Sequence, residues 1–523
     1  MRSIDIPALL VACGLLVSIG PTTAQARVTP TRPHPLSEQL APLPGRPAAG
    51  HARTTEARAA AAPAVLATIT RLRRSGSIPQ SAASRYRSVY LEAQRALSHL
   101  SGTRHTELAA VLQNMLRMQL AGQMTPSRMP EMFLTLQRNR EWWSTGSLLS
   151  YGARVSFPGS RLVWEYYNGQ GIELQWLATF GEANGYYLSG NENEALRQVL
   201  DEASGLAVQR AGGIAFDYLF NFDGGSPPWT SGLSQGTAIQ AFARASQRLG
   251  EPAFTATAEK ALGVFQTPPP AGVRLQIAPG AAGTPARVHY LEYSFAPDER
   301  ILNGFIQSLN GLYDFTKITG SAVGLRLFEE GDADARVETP HYDTGAWSLY
   351  DQHSESDLGY HELLAEFLQD LCERTRQGPP IATGGTPVSA KASPHSSAHP
   401  AQIAGDQIYC TTATHFYEYL HTPPLISLLS KTLPANAHAG IQLSLSKIST
   451  IGVTVTTMGG KTVWTNSATV EAGKPRLLWV TPKGSGIFKV TITATDLAGN
   501  HSSAGGQITL TGSAHKSTTK STS

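Results

Sequence analysis

Between residues 289 and 362 the sequence sets acid-base side chains among aromatic ones at short spacing, in HYLEYSF, HYDTGAWSLYD and GYHE. Tyrosines at 290, 293, 313, 342, 350 and 360 are interleaved with Glu292, His341, Asp343 and His361. Phenols, with a pKa near ~10, and carboxylic acids can each hold or release a proton when burial or a neighbouring charge tunes them. The same residues suit the aromatic wall of a carbohydrate groove, and spacing alone leaves both uses open. Other chemistries are absent: there is no phosphate-binding loop, no G-x-S-x-G elbow, no H-E-x-x-H helix and no cysteine cluster. His341, His353 and His361 are separated by 12 and 8 residues, which fits no ligand pattern, so no metal is expected.

The elements that must position these groups follow from periodicity. Strand alternation through HYLEY would place Tyr290 and Glu292 on one face, with Leu291 and Tyr293 on the other. ILNGFIQSLNGLYDF puts Leu302, Phe305, Ile306, Leu309, Leu312 and Tyr313 on one helical stripe, and AVGLRLFEEGDADAR is its expected antiparallel partner. YHELLAEFLQDLCER is a further helix, with Tyr360 and His361 in a first turn whose N–H groups would favour a sugar carboxylate.

Upstream, helical spacing begins near residue 63, breaks at RVSFPGSRLVW, returns in GIELQWLATFGEAN and EALRQVLDEASGLAVQR, and resumes in LSQGTAIQAFARASQRLG after a second extended insert. Helix pairs with short connections predict a mainly α domain over 63–424, an α/α toroid or incomplete barrel with short β inserts. A loop rich in Pro, Ser and Gly over 377–404 lies within it. Cys372 and Cys410 flank that loop and are expected to form a disulfide in an oxidising compartment. Over 425–511 the hydrophobic period changes to two, with Gly-rich turns between short runs, which predicts an immunoglobulin-like β-sandwich before a loose tail at 512–523.

The 523-residue chain has a formal charge of +3 and no lysine or arginine block, which argues against a nucleic-acid partner. Residues 1–26 have the form of a secretory signal: Arg2, an apolar run too short to span a bilayer, and an Ala-Gln-Ala site ending at Ala26. The stretch 27–62, rich in Pro, Ala and Arg, is expected to be a disordered leader. No other segment reaches the ~18 apolar residues of a membrane helix. The mature protein is therefore expected to be secreted or in the cell envelope, and not integral to a membrane.

Taken together in order and spacing, PPWTSGLSQGTAIQAFARA, NGFIQSLNGLYDF, YDTGAWSLYD and YHE resemble the C-terminal helical domain of D-glucuronyl C5-epimerases, which convert glucuronate to iduronate within heparan-type chains. The resemblance implies catalysis by Glu292, Tyr293, Tyr350 and Tyr360. By position, Arg300 and His361 are candidates to meet the uronate carboxylate; Trp229 and Asn303 are further candidate substrate contacts, and Tyr290 and Tyr342 are open to either substrate contact or packing. Ser294 stands where the family has proline after the Glu-Tyr pair. The implied partner is an anionic polysaccharide. Because C5 is α to the carboxylate, the implied reaction removes a proton from one face of the ring and returns one to the other, without a cofactor. Two further readings share these features: a toroidal polysaccharide lyase, which begins with the same deprotonation, and a non-catalytic glycan-binding envelope protein.

Overall fold

The computed structural model describes residues 27–28, 55–380 and 400–512, with side chains over 63–380 and 407–512. The signal and most of the leader, most of the 377–404 loop and the tail lie outside the described residues. Four helices open the domain: α1 (Thr55–Arg74), α2 (Gln80–His99), α3 (Gly102–Leu120) and α4 (Met129–Thr145). Their apolar faces meet through Val65, Ile69, Tyr86, Leu108, Met115 and Phe133. Helix α1 starts at Thr55, ahead of the boundary expected at 63, and strand β1 (Arg27–Val28) lies in the stretch expected to be unstructured. It pairs antiparallel with β2 (Arg154–Ser156), and the sheet continues through β3 (Trp164–Tyr167) to β4 (Gly171–Leu174). GIEL is thus a buried strand, and helix α5 (Trp176–Ser189) begins only after it. The break is chemical: the Gln175 side chain accepts hydrogen bonds from the N–H groups of Leu177 and Ala178 and caps α5.

After α6 (Asn193–Leu206) and the hairpin β5 (Val208–Arg210) with β6 (Gly213–Ala215) come α7 (Gly232–Leu249), α8 (Pro252–Ala261) and the single turn α9 (Gly263–Gln266). A second hairpin, β7 (Arg274–Ala278) with β8 (Arg287–Tyr290), leads to α10 (Leu302–Thr319) and α11 (Ala322–Glu338). Helices α12 (Leu358–Arg376) and α13 (Pro400–Tyr419) follow, bonded through Cys372 and Cys410.

The centre of the domain is the pair α7 and α10. Both are buried on nearly every side, so neither is an ordinary amphipathic surface helix. Their backbones approach at glycines: a Cβ on Gly311 would lie 2.1 Å from the Gly236 carbonyl oxygen, and one on Gly236 would lie 2.7 Å from Ser308 Cα. Tyr313 sits on the expected helical stripe and is buried, its hydroxyl donating to the Gly378 carbonyl.

Among the described residues from Ile426 onward, every regular element is a strand. One sheet has the order β10 (Thr432–Pro434), β16 (His501–Thr511), β15 (Gly486–Asp496), β12 (Ser449–Thr457), β13 (Thr462–Val470). The other has β14 (Arg476–Val480), β11 (His438–Leu445), β9 (Ile426–Leu428). Alternate residues such as Ile441, Leu443, Ile451, Val453, Val490 and Ile492 fill a core separate from that of the helices. The coarse expectation of a mainly helical domain followed by a strand-only region therefore holds.

Gly311→Ala should lower the unfolding free energy by about 3 kcal/mol, because backbone must yield on both helices. A denaturant midpoint equal to that of the unmodified chain would mean that α7 and α10 are not held at this separation.

Candidate active site

Glu292 and Tyr293 follow the end of β8, in a segment that leaves its ladder to cover the start of α7. Gly232 N–H donates to the carbonyls of Leu291 (3.1 Å) and Glu292 (3.2 Å). Ser294 N–H donates to the Thr230 carbonyl (3.0 Å), and Thr230 N–H donates to Ser294 Oγ (3.1 Å). A proline at 294 could supply neither the N–H nor the hydroxyl. The pairing with the β7 side continues one residue past β8, with Leu291 N–H donating to the Val273 carbonyl (2.9 Å), and both Tyr290 and Glu292 meet α10, at Phe305 and Gly304 respectively. Leu291, Glu292 and Tyr293 are all buried.

Tyr350 comes from the loop 343–357, whose bridges Asp343 to Ser348 and Leu349 to Glu355 make it a compact ladder. Its N–H donates to the Ser354 carbonyl (2.8 Å), while Asp351 Oδ1 accepts from the N–H groups of His353 and Ser354. Tyr360 comes from the first turn of α12. The three segments converge. The Tyr350 and Tyr360 rings lie 4.6 Å apart, and Tyr293 rests on Phe222 (5.7 Å), Trp229 (5.8 Å) and Phe295 (5.4 Å).

The electrostatics follow from burial. The Glu292 carboxyl, 0% exposed, is pushed up to about 8, chiefly by desolvation, with the Tyr293 hydroxyl opposing the shift. Desolvation, with Glu292 alongside, drives the Tyr293 and Tyr350 phenols well above their usual range. Among the described residues, neither Glu292 oxygen nor the Tyr350 hydroxyl has a hydrogen-bond partner of ordinary geometry, although Tyr293 is close enough to both to influence their ionisation. The Asn303 amide nitrogen, at the start of α10, is likewise buried without an acceptor. Next to it, a Cβ on Gly304 would lie 2.6 Å from Glu292 Oε2, so only glycine leaves the carboxyl its place. Unpartnered polar atoms buried together are costly in a folded chain and mark a place where a polar ligand would repair the deficit. The cluster is uncharged around neutral pH, rich in proton donors, and closed: Tyr350 contacts Tyr360 and interacts with Tyr293, so the phenols do not face one another across a gap wide enough for a pyranose.

Residues 210–380, which contain every member of this cluster, match the family model described as D-glucuronyl C5-epimerase C-terminus. This region is therefore similar to the C-terminal domain of D-glucuronyl C5-epimerases. The chain is also similar to an uncharacterized protein of Methanocaldococcus jannaschii, 29% identical over 133 residues, 25% of this chain and 42% of that protein. Its similarity to a D-glucuronyl C5-epimerase of Caenorhabditis elegans is 28% over 138 residues, 24% of this chain and 21% of the relative. The matches thus span less than half the length of either relative. An endo-beta-1,4-glucanase structure from Acetobacter xylinum aligns over 50% of this chain and 94% of its own, at 12% identity. Its TM-score of 0.28 is too low to assign fold or function.

Within residues 210–380 the other expected residues separate into two groups. Asn303 precedes Gly304, which packs on the Glu292 carboxyl, and Trp229 lies beneath Tyr293, stacked on Tyr218 at 4.3 Å, with its indole N–H donated to the Phe220 carbonyl. Tyr290 turns away, its hydroxyl donating to the Leu327 carbonyl and its ring edge-on to Phe265. Tyr342 donates to the Arg300 carbonyl, and the Arg300 guanidinium is paired with Glu338. His361 is buried with both ring nitrogens engaged: Nδ1 accepts from Ser348, and Nε2 donates to the Phe416 carbonyl (2.9 Å). In the first turn of α12 the Tyr360 N–H is already taken, by Asp357 Oδ1 (2.8 Å). Neither His361 nor the Tyr360 N–H is open to a sugar carboxylate, and Arg300 already has its carboxylate partner.

Sequence reasoning passed over His289, Asp334 and Glu338, whose ligand-type atoms lie within 4.8 Å of one another. Arg287 pairs with Asp334 (2.8 Å), and Arg300 and His289 pair with Glu338. The cluster is charge-balanced by its own arginines and ties β8 to α11, which suits a structural network better than a cation site.

Burial holds the His361 pKa down to about 4. The unfolded chain then takes up a proton as pH falls below ~6.5 while the folded one does not, so stability should fall between about pH 6.5 and 4 by up to ~1.4 kcal/mol per pH unit. His361→Gln should flatten that part of a stability-versus-pH curve; an unchanged slope would show that His361 protonates freely in the folded state.

Proposed function

We propose that this protein is an exported uronate C5-epimerase acting on a glucuronate-containing polysaccharide. The observation that carries the proposal is the convergence of Glu292, Tyr293, Tyr350 and Tyr360 in one buried cluster inside the region similar to the epimerase C-terminal domain. In this reading the Glu292–Tyr293 pair and the Tyr350–Tyr360 pair exchange protons with opposite faces of the sugar. One pair takes the C5 proton, leaving an enediolate whose charge is met by the neutral donors Asn303 and the tyrosine hydroxyls, and the other pair returns a proton. A carboxyl raised to about 8 is a stronger base than an ordinary glutamate, which suits a weakly acidic C–H. Binding would part the contacts among the tyrosines, and active-site hydrogen bonds that are loose without substrate commonly tighten with it.

We read the paired helices as an α/α toroid and the two terminal sheets as an immunoglobulin-type sandwich, supported by the short connections between consecutive helices and by the two-sheet strand order. Export is supported by the Cys372–Cys410 disulfide, which belongs to an oxidising compartment. Among the described residues no helix is long and apolar enough to cross a membrane.

Incubation with glucuronans in deuterated water tests the proposal. Deuterium should enter C5, iduronate should appear, and the rate should rise with pH through about 8 as Glu292 ionises. Tyr350→Phe and Glu292→Gln should each lower exchange by about 100-fold or more. An unsaturated, ultraviolet-absorbing product would instead make it a lyase, and polymer binding without exchange would make it a glycan-binding protein.

A further inference from the structure

The strand region touches the catalytic loop at two places. Glu355, half-buried at the far end of loop 343–357, directs a single oxygen, Oε2, at two backbone donors of the strand region, Ile448 N–H (2.9 Å) and Ala472 N–H (3.1 Å). Its own backbone bridges Leu349, the residue before Tyr350, and the neighbouring Ser354 carbonyl accepts from Tyr350 N–H. Holding Glu355 therefore holds the rung that carries the Tyr350 ring.

The second contact is a buried cation. Lys447, 1% exposed, donates to the carbonyls of Tyr419 and Thr422 and pairs with Asp496 at 2.9 Å, so its ammonium hydrogens are occupied. The same ammonium lies 5.1 Å over the Trp347 ring. Trp347 stacks on His361 with centroids 3.6 Å apart and planes 7° from parallel, and its indole N–H donates to the Ser356 carbonyl (2.8 Å). His361 follows Tyr360 in the chain and receives the Ser348 N–H from the loop. A line of contacts thus runs from Lys447 through Trp347 and His361 to Tyr360. Asn500 adds a bond to the Leu420 carbonyl at the end of α13.

We infer that Glu355 and Lys447 are positioning residues, through which the C-terminal strand region sets the relative placement of Tyr350 and Tyr360. The inference rests on the epimerase reading, and it makes the strand region part of the site's framework instead of a spacer. Neither residue touches the acid-base cluster. Glu355 acts on Tyr350 through the loop ladder, and Lys447 acts on Tyr360 through stacked rings.

The test uses the full chain with Glu355→Ala, Glu355→Gln and Lys447→Met, reading C5 exchange on a glucuronan and backbone hydrogen–deuterium exchange by mass spectrometry. Glu355→Ala should lower kcat at least tenfold with KM within about twofold, and should speed exchange in peptides covering 343–360 but not in those of α7. Glu355→Gln keeps a carbonyl oxygen for the two N–H groups and should restore both readouts. Lys447→Met should lower kcat in the same way. Wild-type kcat and wild-type loop protection in Glu355→Ala, or no recovery in Glu355→Gln, would overturn the inference. If the unmodified chain exchanges no C5 deuterium, the epimerase reading falls, while loop protection still reports separately whether the strand region orders the tyrosine loop.

Discussion

A carboxyl group buried without a counter-cation among the described residues is the constraint around which this site is built. Glu292 is enclosed by Tyr293, Tyr350 and the first turn of α10, and the arginines nearest in sequence are engaged elsewhere, Arg287 with Asp334 and Arg300 with Glu338. Removing an ionised carboxylate from water costs several kcal/mol even after the protein relaxes. The chain avoids that cost by letting the group keep its proton up to a higher pH. The same burial holds the phenols protonated, so one physical cause produces a strong latent base and a set of neutral donors side by side.

Such an environment survives only if the surroundings exclude water without collapsing onto the group. The α7 and α10 pair does this by approaching at Gly236 and Gly311, while Gly304 leaves room for the carboxyl itself. Loop 343–357 supplies the opposite wall and lacks a hydrophobic core of its own. It relies on the Asp351 turn, the His361–Trp347 stack, and the strand region's hold on Glu355 and Trp347. Scaffold and site are thus linked by particular contacts, each removable by one substitution.

Local signals were legible in the sequence where the physics is local. The stripe of α10 and the burial of Tyr313 follow from a 3.6-residue period, and the terminal strands from a two-residue period. The convergence of Glu292, Tyr293, Tyr350 and Tyr360 was visible only through family likeness, because no spacing rule joins residues on three segments. The pairing of Ser294 with Thr230, which ties this segment to the start of α7, is a long-range bond that strand periodicity cannot register. The capped start of α12 was in principle readable, since Asp357 three residues before Tyr360 is a favoured cap. The partners of Arg300, Glu355 and Lys447 lie tens of residues away in sequence, and composition gives no sign of them.

The chemistry of the cluster depends on the protonation state of Glu292. Difference infrared spectra of the unmodified protein against Glu292→Gln, recorded across a pH series, isolate its protonated-carboxyl stretch. This band should persist through neutrality and titrate within about a unit of pH 8. A carboxylate already ionised near pH 5, close to the ordinary glutamate value of ~4.3, would contradict that expectation.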